Sequence, residues 1–289
     1  MLTKGLTMTI VFEAESANYG EGIGNVATLK KLSRGNGNQY TYISRQAIRY
    51  NIIEQLGEEK ANVELSGKSK KVIQFSADST ILDYPELDFF GYMKTKDEKM
   101  ATRRSAIVRL SNAISTENFK GDLDFLTNIG LANRINEFPN IAQAEIHKSY
   151  YVYTLAIDLD QIGIDKNYDI ELPKEEKARR VKKLLDTIAF LYRDIRGRRE
   201  NLSPLFIIGG VYDVKNPIFE NLVKVKNNKI LVEDIISGIF ENMKKDTICG
   251  VIDGKFDNTN EIKNNLNALT IPQFFENLKE KVRDYYESN

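Results

Sequence analysis

Leu6-Thr7-Met8-Thr9-Ile10-Val11-Phe12-Glu13-Ala14 alternates with a period of two. Leu6, Met8, Ile10, Phe12 and Ala14 point one way, and Thr7, Thr9, Val11 and Glu13 the other. That pattern predicts a strand with one apolar face. Residues 105–110, 150–159 and 205–208 read as further strands, the last ending in Gly209-Gly210. Ser44 has the chemistry of a helix N-cap, and Ala47, Ile48, Ile52 and Leu56 follow as a helical stripe that stops at Gly57. Residues 174–195 predict a longer helix, with Val181, Leu184, Leu185, Ile188, Tyr192 and Ile195 on one apolar face. An amphipathic C-terminal helix begins near Pro272. Strands and helices mix without regular βαβ repetition, which predicts an α+β fold with an antiparallel sheet.

The loops between these elements have their own character. Residues 18–25 are rich in Gly and Asn, and Lys30-Lys31-Leu32-Ser33-Arg34-Gly35-Asn36-Gly37-Asn38 is a basic loop. Residues 57–102 are less regular and read as an insertion on the main fold. Residues 118–146 read as a long loop punctuated by Gly121, Gly130 and Pro139. Loops of that length in compact domains usually carry function.

Composition removes several function classes. The chain has 289 residues, 42% of them apolar, and a formal net charge of zero. A single Cys (Cys249) forbids an internal disulfide, and a single His (His147) leaves no paired Cys/His zinc site. His147 reads as a surface or packing residue. No apolar run reaches the ~18 residues of a membrane span, and no signal-peptide pattern is present, so a cytoplasmic protein is expected. Gly20-Glu21-Gly22-Ile23-Gly24 lacks the spacing and the following unit of a dinucleotide fold. Asp158-Leu159-Asp160 closes a strand, and alternation would put both carboxylates on one face, where they could hold Mg²⁺. No third acid can be placed beside them. No enzyme, metal or cofactor is expected.

Charge is unevenly placed. Residues 16–53 carry a net +4, residues 94–109 a net +4, and residues 174–199 a net +6. Basic segments beside Gly/Asn loops suit a polyanion, because Lys and Arg neutralise phosphates while flexible backbone brings N–H groups close. Nearby Ser, Asn and Gln suit sugar hydroxyls and phosphate oxygens. This chemistry nominates Asn18, Asn25, Lys30, Lys31 and Arg34 in the loops, Ser44, Arg45, Gln46 and Arg49 at the helix start, and Arg103, Arg104, Ser105 and Arg198 further along. The basic helix of residues 174–195 reads equally as a solvated face.

An ordered set of segments carries a family resemblance: residues 6–19, Gly24-Asn25, Tyr42-Ile43-Ser44-Arg45-Gln46-Ala47-Ile48-Arg49, Leu87-Asp88-Phe89-Phe90-Gly91-Tyr92-Met93, Arg103-Arg104-Ser105-Ala106 and Phe206-Ile207-Ile208-Gly209-Gly210-Val211-Tyr212. Together they resemble the Cas-seven family, closest to its DevR-type branch of type I-B CRISPR systems, over about residues 2–219. The resemblance implies an RRM-like (ferredoxin-like) palm, residues 1–56 and 103–289, with an antiparallel sheet and helices on one face. It implies a finger-like insertion at residues 57–102 and a thumb-like loop at residues 118–146. It also implies a backbone subunit of Cascade that polymerises with copies of itself along a CRISPR guide RNA (crRNA), beside other Cascade subunits. The thumb displaces guide bases at intervals, and the remaining bases pair with target DNA in antiviral defence. Ser44, Arg45, Gln46 and Arg49 match the family's helix start on the RNA backbone, and Arg103 and Arg104 its basic stretch after the fingers. Related type III subunits cut RNA with a loop Asp after the first strand. Here Glu13, Glu15 and Glu21 follow that strand, with no Asp before Asp78. A metal-dependent ribonuclease using Asp158 or Asp160 is the alternative, and a solitary single-stranded RNA-binding module the third reading.

Overall fold

A computed structural model describes residues 4–20, 22, 24–35, 37–66, 72–97 and 100–288. Glu21 and Ile23 of the glycine-rich stretch, Asn36 of the basic loop and Lys99 lie outside the described residues. The fold is α+β and centres on one eight-stranded sheet. The strands of that sheet are β1 (Gly5–Ala14), β2 (Lys31–Ser33), β3 (Gln39–Ile43), β4 (Val108–Leu110), β5 (Ala113–Ser115), β6 (Ser149–Asp158), β7 (Phe206–Tyr212) and β8 (Thr247–Val251). The order across the sheet is β8-β7-β1-β6-β5-β3-β2, with β4 also paired to β6. Every pairing in it is antiparallel. β1 sits centrally because it can bury both faces: it pairs with β6 along its whole length and with β7 from Gly5 to Val11.

Among the described residues three helices exceed ten residues: α1 (Arg45–Gln55), α2 (Lys174–Ala189) and α3 (Ile271–Ser288). They cover the face to which Leu6, Met8, Ile10 and Phe12 point. Ile48 and Ile52 of α1, Val181, Leu184, Leu185 and Ile188 of α2, and Phe274, Leu278 and Val282 of α3 join those residues in one core. Each such side chain contributes about 1.5–3 kcal/mol on full burial.

The opposite face is not bare, which corrects the expectation of helices on one face only. Val11, Phe206, Ile208 and Val251 pack there against Phe219, Val223, Ile235 and Ile262, within which the short helices Val232–Gly238 and Thr259–Asn265 sit. This second core lies over β1, β7 and β8. Thr9 and Thr154 on the same face share a buried 2.7 Å hydrogen bond between their hydroxyls.

Three boundaries differ from the sequence reading. Helix α2 ends at Ala189, and Tyr192–Ile195 turns back as a hairpin with Arg198–Asn201. Residues 105–110 supply only the short β4, followed by β5. Residues 118–146 are no loop: Asp122–Thr127 pairs antiparallel with Ile141–Ile146, and Val26–Ala27 adds a parallel third strand. This hairpin exposes Phe125, Ile129, Ile135 and Phe138, the last at 93%.

Within residues 57–104 two hairpins flank the helix Pro85–Phe90. They share a small core of Ala61, Ile81, Leu87 and Tyr92. Gly91 closes that helix at φ 68°, where a Cβ would meet the Arg104 carbonyl at 2.3 Å. The sheet's two margins are short or occupied. β2 has three residues, and Leu269 bonds to β8 through Cys249 O (2.8 Å) and the Val251 N–H (3.0 Å).

Candidate nucleic-acid interface

Ser44 begins the site. Its hydroxyl accepts the Ala47 N–H at 3.3 Å, so α1 starts at Arg45. Two asparagines fasten this start to its surroundings. Asn18 Oδ1 accepts the Ser44 N–H at 2.8 Å, and Asn112 Oδ1 accepts the Arg45 N–H at 2.9 Å. The first turn of α1 has no acidic residue. Its partial positive charge adds to that of Arg45 and Arg49.

Arg45, Gln46 and Arg49 line a cleft of about 490 Å³ together with Phe90, Ala106, Val108, Arg109 and Leu110. Arg45 and Gln46 are exposed. The Arg49 guanidinium lies 4.7 Å over the Phe90 ring. Burial pushes Arg49 below its ordinary range, and the Glu86 carboxylate pulls it back up. Neither Arg45 nor Arg49 has an ion pair among the described residues. Arg109, which the sequence reading did not nominate, completes the cleft and is held by Asp158 at 2.8 Å. Ser105, a few positions earlier, is exposed just before Ala106.

The remaining nominees divide by how their side chains are used. Lys30 and Asn25 are exposed, and their carbonyls accept the Tyr42 and Gln143 N–H groups at 3.2 Å each. Arg34 is exposed, 4.6 Å over the Tyr40 ring, in a neighbouring cleft that also contains Asn112. Arg103 is exposed, and its carbonyl accepts from Asn167 at 2.9 Å.

Three nominees are committed inside the protein, and the reading of them as ligand contacts is corrected here. Lys31 pairs with Glu145 at 2.6 Å and caps the Phe119 ring, tying the hairpin of residues 122–146 to β2. Arg104 is 6% exposed, pairs with the wholly buried Asp88 at 2.7 Å and donates to the Gln161 and Ile164 carbonyls. Arg198 pairs with Glu15 and donates to Ser16. It lies at the far end of β1 from Arg109, roughly 25 Å away at the rise of a strand.

The strongly basic segment around α2 is spent in the same way. Arg180 reaches Asp88 and Glu176, Arg179 reaches Glu58 and Glu176, Lys177 reaches Glu171, and Arg193 reaches Glu200. The Arg179 guanidinium, with Arg180, holds Glu176 down at about 2.

The carboxylate pair does not form. Asp158 ends β6, but Asp160 falls in the 3-10 turn Leu159–Gln161 and not on the strand. Each is neutralised separately, Asp158 by Arg109 and Asp160 by Lys215 at 2.6 Å. Among the described residues no group of three or more His, Cys, Asp or Glu could hold a metal ion. His147 is buried, with Nδ1 2.7 Å from the Thr41 hydroxyl, and burial holds it below its ordinary range. Among the described residues no helix is long and apolar enough to cross a membrane.

A family model described as the CRISPR-associated negative auto-regulator DevR/Csa2 matches residues 6–234. No curated protein matches the sequence at a significant level. Among solved structures, a chain titled CRISPR RNA-guided surveillance complex, pre-nicking, superposes with a TM-score of 0.64 at 12% identity, covering 96% of this chain and 100% of that one. A second, titled CRISPR RNA-guided surveillance complex, gives 0.56 at 13% identity, covering 94% and 99%. At these identities the likeness is one of fold.

Proposed function

The chain belongs to the CRISPR-associated DevR/Csa2 family, and from that premise we propose that it is a guide-RNA-binding backbone subunit of a type I-B surveillance complex. The observation that carries the proposal is the α1 cleft. There Arg45 and Arg49 stand without an ion pair among the described residues, at a helix start with no acid in its first turn, whereas most cations of the segment around α2 are paired. The core is RRM-like in this reading. Support comes from the chain order β1-α1-β5-β6-α2-β7 with the spatial order β7-β1-β6-β5.

The chemistry fits a strand of any sequence. Arg45 and Arg49 neutralise phosphates, and the N-terminus of α1 favours the same anion. Gln46 and Ser105 offer hydrogen bonds to ribose hydroxyls, which is where RNA differs from DNA. A grip on phosphate and sugar leaves base edges free to pair with target DNA. The hairpin of residues 122–146 is the thumb, and its exposed Phe125, Ile135 and Phe138 suit contact with a neighbouring copy or a displaced base. The protein acts in the cytoplasm, with other subunits of the complex, and catalyses no reaction. Against the ribonuclease alternative stand the separate ion pairs of Asp158 and Asp160. Labelled RNA with Mg²⁺ or Mn²⁺ is expected to stay intact. Regularly spaced cutting abolished by Asp158→Ala would reverse the assignment.

The test of the cleft is the double variant R45A/R49A in filter binding against guides of unrelated sequence. Affinity is expected to fall about tenfold on every guide, and the log–log salt slope to flatten by roughly 0.7 for each phosphate left without its cation. Wild-type coating of the guide at physiological salt would remove the site.

A further inference from the structure

Beyond Asn112 the α1 cleft gives way to a second one, about 510 Å³, between the sheet face opposite α1 and residues 220–231. Its floor is apolar, formed by Ile114, Val152 and Val223. Thr116 lines it, and the Thr116 hydroxyl oxygen is buried without a hydrogen-bond partner. A buried hydroxyl left unpaired costs about 1–3 kcal/mol, so a ligand that supplies its partner recovers that cost.

Lys226 lines this cleft, and Lys229 stands beside it on the same hairpin. Val225–Lys226 and Lys229–Ile230 form a hairpin closed by Asn227 and Asn228, both left-handed at φ 49° and 58°. This two-residue turn demands such angles, and Asn tolerates them. Lys226 and Lys229 lie directly opposite each other. Like charges in that position repel. Both are exposed, and neither has an ion pair among the described residues, whereas Lys224 is paired with Asp234 at 2.8 Å. An anion between Lys226 and Lys229 turns their repulsion into attraction. Arg34 lines the same cleft, and exposed Glu220 does too. A carboxylate there repels a bare anion but accepts hydrogen bonds from an exocyclic amino group.

We infer that this cleft is a nucleotide subsite for the strand held by α1. One base, the exception to the free base edges of the strand on α1, lies on the apolar floor beside Thr116, and its phosphate sits on Lys226 and Lys229. The inference rests on the single-strand reading above and extends it by one site.

The test uses a fluorescent ten-nucleotide oligoadenylate and hydrogen exchange. The oligomer is expected to protect residues 111–116 and 220–231 as well as α1. K226E/K229E should lose protection at residues 220–231 and bind about tenfold more weakly, while protection at α1 persists. Thr116→Val should weaken binding a few-fold without lowering the unfolding midpoint, which separates ligand contact from packing. Adenosine 5′-monophosphate should compete for residues 220–231, and inorganic phosphate at the same concentration should not. Protection confined to α1, with K226E/K229E at wild-type affinity, overturns the subsite and leaves the strand reading standing. No protection anywhere overturns both. Equal competition by inorganic phosphate overturns base recognition.

Discussion

Residues 174–199 carry a net +6 and residues 16–53 a net +4, yet among the described residues a larger share of the less charged segment's cations is left without an ion pair. Around α2, carboxylates arrive from elsewhere in the chain: Asp88 meets Arg180, Glu58 meets Arg179 and Lys183, and Glu15 meets Arg198. Within residues 16–53, among the described residues, only Lys31 finds such a partner, in Glu145. Arg34 and Arg49 rest on aromatic rings, which leave a guanidinium's charge unneutralised. A segment's charge therefore says little about binding until the acids brought to it by the fold are known.

The largest effect that tests this contrast is on stability. Asp88→Ala leaves Arg104 and Arg180 buried without their carboxylate, and a loss of about 3–5 kcal/mol is expected in urea unfolding. A loss below about 1 kcal/mol would mean that these arginines are not structural. The R45A/R49A pair should show the reverse: a tenfold loss of RNA affinity, with stability changed by no more than about 1 kcal/mol, from the Arg49–Phe90 contact. Ser44→Ala should cost about 1 kcal/mol through its N-cap and weaken RNA binding because Arg45 is placed by that cap.

The smallest effect is in acid. Glu176 sits at about 2 when folded against an ordinary 4.5, so it favours the folded state above pH 4.5. That contribution is lost as pH falls from 4.5 toward 2. Glu176→Gln should flatten the acid limb of the stability profile, and an unchanged limb would show that the Arg179 and Arg180 pairs are screened away.

What is legible in the sequence follows the same division. Helix α1 is readable because Ser44 and Gly57 are local signals at its two ends, and β1 because Leu6, Met8, Ile10 and Phe12 alternate with Thr7 and Thr9, although both of its faces are buried. The end of α2 is not, since Tyr192 and Ile195 continue the helical period although the chain has reversed into a hairpin. The hairpin Asp122–Thr127 escapes notice because Leu123 and Phe125 are exposed, so its alternation marks no core face. Arg104 and Arg198 mislead because their partners, Asp88 and Glu15, lie 16 and 183 positions away. Arg109 stands out only as a charge, and Lys226 and Lys229 not at all. The signal that would find the last two is an Asn-Asn turn between lysines.

The guarded margins of the main sheet decide how molecules of this kind can join. Among the described residues, a three-residue strand on one side and the Leu269 segment bonded to Cys249 and Val251 on the other leave only short stretches of ladder for a neighbour's backbone. Contact between copies would then fall to the protruding parts, where the hairpin of residues 122–146 exposes Phe125 and Phe138 and single substitutions would be felt most.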